Sequence, residues 1–254
     1  MRELVKKVSL ETMIASRRVL RSFRVLMKAY RLARLILQDG QWRRLAAAVP
    51  ILCVLVLAAA PALATEARLL MLGDSITAGF GLAPEDGLVA QLRRRLQADG
   101  VKAVLLEGGV SGDTAAGGLA RLDWMLGARP SHAIVALGGN DALRGLNPAA
   151  TEAALAAILD RLTAEGIPVL LAGMKAPRNL GHTYAEAFDS LYPRLAARYE
   201  VVFYPFLLEG VAADPALNQP DGIHPSAAGA AIIATRLAPY VARLLALSSK
   251  PSDG

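Results

Sequence analysis

The sequence predicts an α/β fold in which helices cover both faces of a parallel β-sheet. Two observations support this class. From Arg68 onward, five short apolar runs alternate with five longer stretches whose apolar residues recur at intervals of three and four. Each apolar run is followed by Gly, Pro or polar turn residues. Such alternation is typical of parallel sheets, because the connection between two parallel strands is usually a helix.

The five runs and the five stretches define the predicted elements. The strands are predicted at 68–73, 102–107, 132–137, 167–173 and 200–204. The helices are predicted at 85–99, 115–127, 149–165, 183–198 and 226–246. Leu155, Ile158, Leu159 and Leu162 show the helical spacing in the third of these helices. The sequence shows no internal repeat or second domain in this region, and the polar tail 248–254 is expected to be frayed.

The first 64 residues differ in composition from the rest of the chain. Residues 1–44 contain 12 Lys or Arg and 3 Asp or Glu, whereas residues 45–64 carry no charge and end in Ala-Leu-Ala. A basic flank, an apolar middle and a small-x-small end are typical of a secretory signal. We therefore predict a basic N-terminal extension plus signal peptide over 1–64, with cleavage after Ala64. A periplasmic or secreted domain would then span 65–254.

Two alternatives remain for the N-terminal region. The apolar run is about long enough to span a bilayer, so it could instead be a retained membrane anchor. Met27 could be the true start in place of Met1. We expect a monomer, and we expect no stable membrane anchor if the signal is cleaved.

Charge and cysteine content exclude two classes of function. Residues 65–254 hold 16 Lys or Arg and 19 Asp or Glu, so this region is mildly acidic although the whole chain carries +6. Without a basic patch containing interleaved aromatic residues, we expect no nucleic-acid partner. Cys53 is the only cysteine and lies in the apolar run, so a processed chain would have no catalytic thiol.

The segment Leu69–Gly81, LLMLGDSITAGFG, predicts a nucleophile. An apolar strand that runs into Gly-Asp-Ser would place Ser75 at the start of a helix, at the carboxyl edge of the sheet. The free N–H groups of that helix would face a developing negative charge. Alternatively, Ser75 is only a helix N-cap, which is a common place for serine.

A base and its orienting acid are predicted near the C-terminus. His224 follows Asp221 by three residues and precedes the last predicted helix, so Asp221 could hold one imidazole nitrogen while the other faces Ser75. The alternative is an Asp that caps the helix beside an exposed His. His132 opens an apolar strand and is expected to be structural, whereas His182 lies in a loop that could line a pocket.

Three donors are predicted for an oxyanion hole: the N–H groups of Ser75 and Gly112 and the side-chain amide of Asn140. Gly112 lies in a glycine-rich segment after the second strand, where the backbone can approach a ligand closely. Asn140 follows two glycines after the third strand. The alternative is that Asn140 is only a turn residue with positive φ.

Asp74, Asp113 and Asp141 also follow strand ends, which raises the alternative of a Mg²⁺ site. Each lies in a turn of small residues, where capping explains a carboxylate equally well. We therefore predict no metal and no cofactor, and the chain carries no P-loop or dinucleotide fingerprint.

Together, four segments resemble the SGNH, or GDSL, hydrolase family. They are GDS at 73–75, GVSGDTAAGGLARL at 109–122, LGGNDALRG at 137–145 and DGIHPSAAG at 221–229. With the loop APRNLGHTYAEAF they are most similar to the periplasmic thioesterase I, lysophospholipase and arylesterase subgroup. The resemblance covers roughly Ala67 to Leu245, and its departures are Ile76-Thr77, where Leu-Ser is more usual, and the long N-terminus.

The resemblance implies a flavodoxin-like three-layer α/β/α fold with a five-stranded parallel sheet. It also implies metal-free hydrolysis of acyl esters and thioesters through an acyl-serine intermediate, with Ser75, His224 and Asp221 as the triad. The resemblance also implies that the segment after the oxyanion Asn moves when an acyl group binds. In this sequence that segment is Asp141–Asn147. Leu143 and Leu146 are then expected to line an acyl groove, and Asp141 is expected to bind substrate with them. A carbohydrate O-acetyl esterase and a silent lipid- or carbohydrate-binding module remain as alternatives.

Overall fold

The computed structural model describes Lys28 and residues 66–247, and residues 66–247 form the folded domain. Its centre is a five-stranded sheet in which every pair of neighbouring strands is parallel. The strands are β1 (Ala67–Gly73), β2 (Ala103–Gly109), β3 (His132–Ala136), β4 (Val169–Ala172) and β5 (Val202–Tyr204). Their order in the sheet is β2-β1-β3-β4-β5, which is the flavodoxin-like arrangement.

Eight helices connect or follow the strands in this part of the chain. They are α1 (Ser75–Ala78), α2 (Leu88–Ala98), α3 (Ala115–Leu126), α4 (Gly139–Leu143), α5 (Pro148–Ala164), α6 (His182–Asp189), α7 (Leu191–Tyr199) and α8 (Ala227–Leu245). A 3₁₀ turn at Arg178–Leu180 precedes α6.

The helices form two layers that enclose the sheet. Helices α2 and α8 pack together in one layer, while α5 packs against α3 and α7 in the other. Central strand β3 is buried along its whole length. Among residues 66–247, α8 alone is long and apolar enough to cross a membrane, yet it also packs on β4 and β5 and buries eight of its residues. Its apolar character is therefore explained by the core of this domain.

The predicted fold class is confirmed, and the differences lie in individual elements. The predicted helix 183–198 is two helices, α6 and α7, that meet at Ser190. Pro193 explains the break, because it lacks the N–H that would bond to the carbonyl of Asp189. Strand β2 continues two residues beyond its predicted end, since Gly108 and Gly109 pair with Leu72 and Gly73 of β1.

Other predictions concern residues outside the described part of the chain. The signal peptide and its cleavage after Ala64, the alternative membrane anchor, the start at Met1 or Met27, and the frayed tail 248–254 all fall there. These remain predictions.

Candidate active site

Three strand ends meet at one edge of the sheet and carry the predicted site residues. Strand β1 runs into Ser75, β2 into the loop that holds Gly112, and β3 into Asn140. The chain passes from β1 to β2 on one side and later returns to β3 on the other. Ligands of open parallel sheets bind at such a switch point, outside the carboxyl ends of the strands.

The nucleophile position is built by a tight turn between β1 and α1. Asp74 is the N-cap of α1, where its Oδ1 accepts the N–H of Ile76 at 3.0 Å. Ser75 is therefore the first helical residue and not the cap, and it is 7% exposed. A Cβ on Gly109 would lie 2.3 Å from the backbone nitrogen of Ala78. Glycine at this position lets α1 sit directly against the end of β2.

The candidate triad is joined by continuous hydrogen bonds. The Nε2 of His224 lies 2.8 Å from Ser75 Oγ. The Nδ1 of the same ring lies 2.6 Å from Asp221 Oδ2. In the catalytic tautomer, Nδ1 donates to the carboxylate and Nε2 accepts from the serine hydroxyl. Ser75 and His224 are 149 positions apart in sequence and are brought together by the fold.

Asp221 is held ionised by its surroundings. Its hydrogen bond with the His224 ring, followed by the backbone N–H groups of His224 and Ile223, lowers the pKa of the carboxyl to about 2. Both N–H groups donate to Oδ1, at 3.0 and 2.9 Å, which leaves Oδ2 for the imidazole. The alternative of an Asp that caps the last helix does not match the structure, because Ser226 caps α8.

The loop around His224, residues 219–225, is called the base loop here. Two residues that the sequence did not single out hold it beside α1. Gln219 receives no special signal in the sequence, yet its Nε2 donates to the carbonyls of Phe80 at 2.7 Å and Pro225 at 3.0 Å. Its backbone N–H donates to the carbonyl of His224 at 2.8 Å. Phe80 packs on the His224 ring with centroids 4.6 Å apart.

The predicted oxyanion donors occupy the same edge. Gly112 has φ +82°, a left-handed conformation that favours glycine. Its carbonyl accepts a hydrogen bond from Arg144 Nη2 at 2.7 Å. Asn140 lies in α4, and its Nδ2 donates to the carbonyl of Asp113 at 2.9 Å. The positive φ in this turn belongs to Gly138 and not to Asn140. The alternative of a left-handed turn residue at Asn140 therefore does not hold.

Asp74 contrasts with Asp221, since it is buried at the same edge. It is 2% exposed, and burial raises the pKa of its carboxyl to about 6. The hydrogen bond from Ile76 and the nearby His224 act in the opposite direction but do not outweigh burial. A carboxyl beside the nucleophile therefore titrates near neutral pH.

The structure places Asp141 differently from its expected contact with substrate. Its carboxylate is 3% exposed; Oδ2 accepts the N–H of Ala115 at 2.9 Å and Oδ1 accepts the Thr151 hydroxyl at 3.0 Å. These bonds fasten α4 to the first turn of α3 and to α5. We therefore interpret the Asp141 side chain as an anchor of the Asn140 turn and remove it from the proposed acyl contacts.

An open groove of about 730 Å³ lies beside Ser75 and His224. This volume is within the range of small-molecule sites. Most of its lining is apolar: Ile76, Leu143, Met174, Ala176, Pro177, Phe206, Leu208, Ala212, Ala213 and Ile223. Leu143 lines the groove as expected, whereas Leu146 is exposed and lies outside this lining. Met174 and Phe206 were missed, although they too follow strand ends, those of β4 and β5.

Two cationic side chains also line the groove. Lys175 Nζ lies 4.7 Å from the centre of the Phe206 ring, and Arg178 pairs with Asp189 at 3.2 Å. Asp74 is the one acidic residue among the described lining residues. Over residues 66–247, no three His, Cys, Asp or Glu side chains cluster closely enough to hold a metal ion.

The other two histidines lie away from this chemistry. His132 is buried, and its ring contacts Ser131 Oγ at 2.9 Å and the carbonyl of Leu247 at 3.0 Å. Both ring nitrogens of His132 thus have hydrogen-bond partners, as expected for a structural residue. His182 begins α6 with a 91% exposed side chain, 3.7 Å from Glu186, and is not part of the groove lining.

Comparison with known proteins places this geometry in a family. Esterase TesA of Pseudomonas aeruginosa is 43% identical over 166 residues, which cover 65% of this chain and 83% of the relative. The Escherichia coli K12 protein "thioesterase 1/protease 1/lysophospholipase L1" is 40% identical over 159 residues, covering 62% and 75%. The crystal structure of AlinE4, an SGNH-hydrolase family esterase, superposes with a TM-score of 0.61 at 42% identity, covering 73% of this chain and all of that one.

Residues 71–232 match the GDSL-like lipase/acylhydrolase family, and this span contains every residue of the candidate triad. The four sequence segments, the strand order and the convergence of Ser75, His224 and Asp221 at one sheet edge all agree with that match. The chain therefore belongs to the GDSL, or SGNH, family and is a carboxylic ester hydrolase.

Proposed function

We propose that the domain is a serine hydrolase that cleaves acyl esters and thioesters through an acyl-serine intermediate. The observation that carries this proposal is the continuous chain of hydrogen bonds from Asp221 to His224 to Ser75. These hydrogen bonds join a nucleophile, a base in contact with it, and a carboxylate that fixes the tautomer of the base.

In acylation, Ser75 Oγ attacks the carbonyl carbon of the substrate while Nε2 of His224 takes the hydroxyl proton. The carbonyl oxygen becomes an oxyanion, which the N–H groups of Ser75 and Gly112 and the amide of Asn140 would stabilise. Collapse of this intermediate breaks the bond to the alcohol or thiol, and His224 gives its proton to the leaving group. The ionised Asp221 stabilises the imidazolium between the two steps.

Deacylation repeats the same sequence with water. His224 takes a proton from the water as it attacks the acyl carbon, and the oxyanion forms again on the same donors. Collapse releases the carboxylic acid, and the proton on His224 returns to Ser75 Oγ. No redox change or metal is needed to balance these steps.

The groove supports an acyl chain as the group bound beside Ser75. Its lining is largely apolar, and Leu143, Met174 and Phe206 offer surface to a chain of medium length. Lys175 and Arg178 would favour a leaving group that carries phosphate or another anion. The leaving groups of acyl-CoA thioesters and of lysophospholipids carry phosphate, and the name of the E. coli relative includes both thioesterase and lysophospholipase.

Export is a separate part of the proposal. It rests on residues 1–64, whose basic flank, uncharged run and Ala-Leu-Ala end match a cleaved secretory signal. The test is N-terminal sequencing of the protein recovered from the periplasm or medium of an expressing bacterium. A mature start at Thr65 supports export, and a membrane-bound chain that keeps its N-terminus contradicts it.

The catalytic proposal is tested by hydrolysis of p-nitrophenyl esters from C2 to C16 and of acyl-CoA thioesters, with a Ser75→Ala variant as control. We expect turnover to peak at medium chain lengths, and we expect Ser75→Ala to lower kcat by roughly 10⁵–10⁶-fold. An acyl adduct on Ser75 in the mass spectrum of quenched protein would support the intermediate. Turnover of acetyl esters alone would indicate an O-acetyl esterase, and turnover that survives Ser75→Ala would overturn the proposal.

A further inference from the structure

Arg121 reaches under the strand ends of the candidate site. It lies on the second turn of α3, and its side chain is 19% exposed. The guanidinium points back toward the carboxyl edge of the sheet and not into solvent. Arg161, by contrast, is more exposed and pairs with Asp123 at the surface.

The guanidinium makes three hydrogen bonds there. Its Nη2 donates to the carbonyl of Gly73 at 3.0 Å and to the carbonyl of Gly108 at 2.8 Å. Its Nε donates to Asp113 Oδ2 at 2.6 Å, and that side chain is 16% exposed. The two carbonyls lie at the ends of β1 and β2, and Asp113 lies in the loop that follows β2.

Each acceptor belongs to a segment that supplies a proposed oxyanion donor. Gly73 is two residues before Ser75, and Gly108 begins the segment that leads to Gly112. Asp113 accepts the Asn140 amide on its backbone carbonyl at 2.9 Å. Arg121 therefore joins the two segments that carry Ser75 and Gly112, and the Asn140 amide is attached to the second of these segments through the Asp113 carbonyl.

Arginine suits this position better than lysine. Its planar fork offers donors in several fixed directions, whereas an ammonium is a point charge on a flexible stem. A partly buried pair of charges contributes little net stability, because desolvation offsets much of the attraction. The position is thus poorly explained by stability alone, whereas the fork fits a role in placing the ends of β1 and β2 and the Asp113 side chain relative to one another.

We propose that Arg121 is a positioning residue for the oxyanion hole, which it aligns by tying the ends of β1 and β2 to Asp113 and through it to Asn140. This inference rests on the proposed function. It assigns no contact between Arg121 and the substrate. Loss of the fork misplaces the donors relative to Ser75, and so it lowers kcat without weakening binding in the groove.

The test is the variant Arg121→Lys, assayed on a medium-chain ester at a temperature where thermal melting shows it folded. We expect kcat to fall roughly 10–10²-fold, since sub-ångström to ångström displacements at a reacting centre have effects of this size. We expect KM to stay within about twofold because the groove lining is untouched. Arg161→Lys, which alters an exposed ion pair on α5, is the matched control and should keep the wild-type kcat.

A double variant separates positioning from a structural role. If Arg121 acts through the donor that Asn140 provides, Arg121→Lys should cost much less in an Asn140→Ala background than in the wild type. Losses that multiply in full would overturn the proposed action through Asn140, and a folded Arg121→Lys with wild-type kcat would overturn the proposal as a whole.

Asp113→Asn covers the case in which Arg121→Lys does not fold. It weakens the ionic bond to Nε but keeps both carbonyl bonds of Nη2, so a smaller fall in kcat at constant KM is expected. An unchanged kcat for this variant would overturn the proposal. Failure of the proposed function is distinguishable, since wild-type protein would then lack turnover that depends on Ser75.

Discussion

Asp74, which lies beside the nucleophile, and Asp221, which belongs to the candidate triad, show how one carboxyl group behaves in two environments of the same site. Asp74 precedes the nucleophile, is buried beneath the strand ends and has its pKa raised to about 6. Asp221 precedes the base, lies on an exposed loop and has its pKa lowered to about 2 by the His224 ring and two backbone N–H groups. Burial dominates on the nucleophile side, and hydrogen bonding dominates on the base side.

This difference follows from how each side is built. Ser75 is fixed by the sheet, because β1 ends in a tight turn and α1 packs against β2. His224 lies on a loop between β5 and α8, and local turns and one glutamine side chain hold it in place. The nucleophile side therefore depends on the core, whereas the base side depends on a few polar contacts that single substitutions can remove.

Among the substitutions around Ser75, the largest effect is expected from Asp221→Asn on the base side. The amide can present its NH₂ group to Nδ1 and stabilise the wrong tautomer of His224, so kcat should fall by roughly 10³–10⁴-fold. Steady-state kinetics on a p-nitrophenyl ester measure this loss. Asp214→Asn is the matched control, since Asp214 also caps a turn, accepting the N–H of Ala216 at 2.9 Å. Equal activities of the two variants would remove Asp221 from the triad.

Asn140→Ala is expected to have the next largest effect, on the side that the strand ends fix. Loss of one oxyanion donor typically raises the activation barrier by about 2.7–4 kcal/mol, which corresponds to 10²–10³-fold in kcat. KM should change little, because the donor acts mainly on the transition state. A variant in which KM rises while kcat is unchanged would show that Asn140 binds substrate and does not stabilise the oxyanion.

Asp74→Asn tests whether burial controls the Asp74 carboxyl, through the pH dependence of the free energy of unfolding. A carboxyl with a raised native pKa disfavours folding once pH exceeds its unfolded value, about 3.9, and the penalty is complete above pH 6. Relative to wild type, the Asn variant should therefore gain about 2 kcal/mol in unfolding free energy between pH 4 and pH 7. Urea denaturation at both pH values measures this change.

The pH dependence that Asp221 confers has the opposite sign. Its lowered native pKa supplies stability above about pH 4 that is lost as pH falls toward 2. Asp214→Asn, which removes a carboxylate that caps an exposed turn, is the matched control for Asp74→Asn. If Asp74→Asn and wild type show the same pH dependence, burial does not control the Asp74 carboxyl.

Features of the site that depend on local sequence could be predicted, whereas those that depend on distant contacts could not. The strands, their parallel direction and the placement of Ser75, Gly112 and Asn140 follow from local signals, since apolar runs end at glycines on one sheet edge. The turn around Asp221 and His224 is local as well. Asp141 could not be predicted correctly, because its partners Ala115 and Thr151 lie 26 and 10 residues away and are known only from the packing of α3 and α5.

Gln219 was missed for a related reason. Its side chain joins the base loop to the carbonyl of Phe80, 139 residues away, and a contact at that separation leaves no local pattern. Arg121 is similar, with acceptors 48 and 13 residues distant. The side chains that chemistry requires are visible in motifs, whereas those that align the motifs with one another become visible only in the fold.

Gln219→Leu should lower kcat the least of these variants. It tests how far the base side depends on its contact with the nucleophile side. The variant loses the bonds from Nε2 to Phe80 and Pro225, which should cost about 1–2 kcal/mol of stability. Because the loop keeps its own turn, and the bond from the Gln219 N–H to the carbonyl of His224 is a backbone contact, kcat should fall by less than tenfold. Thermal melting and steady-state kinetics measure the two effects, with Gln97→Leu on the exposed face of α2 as control. A loss as large as that of Asp221→Asn would mean that the position of His224 is set by its tie to α1 and not by its own loop, and the two sides of the site would then form a single unit.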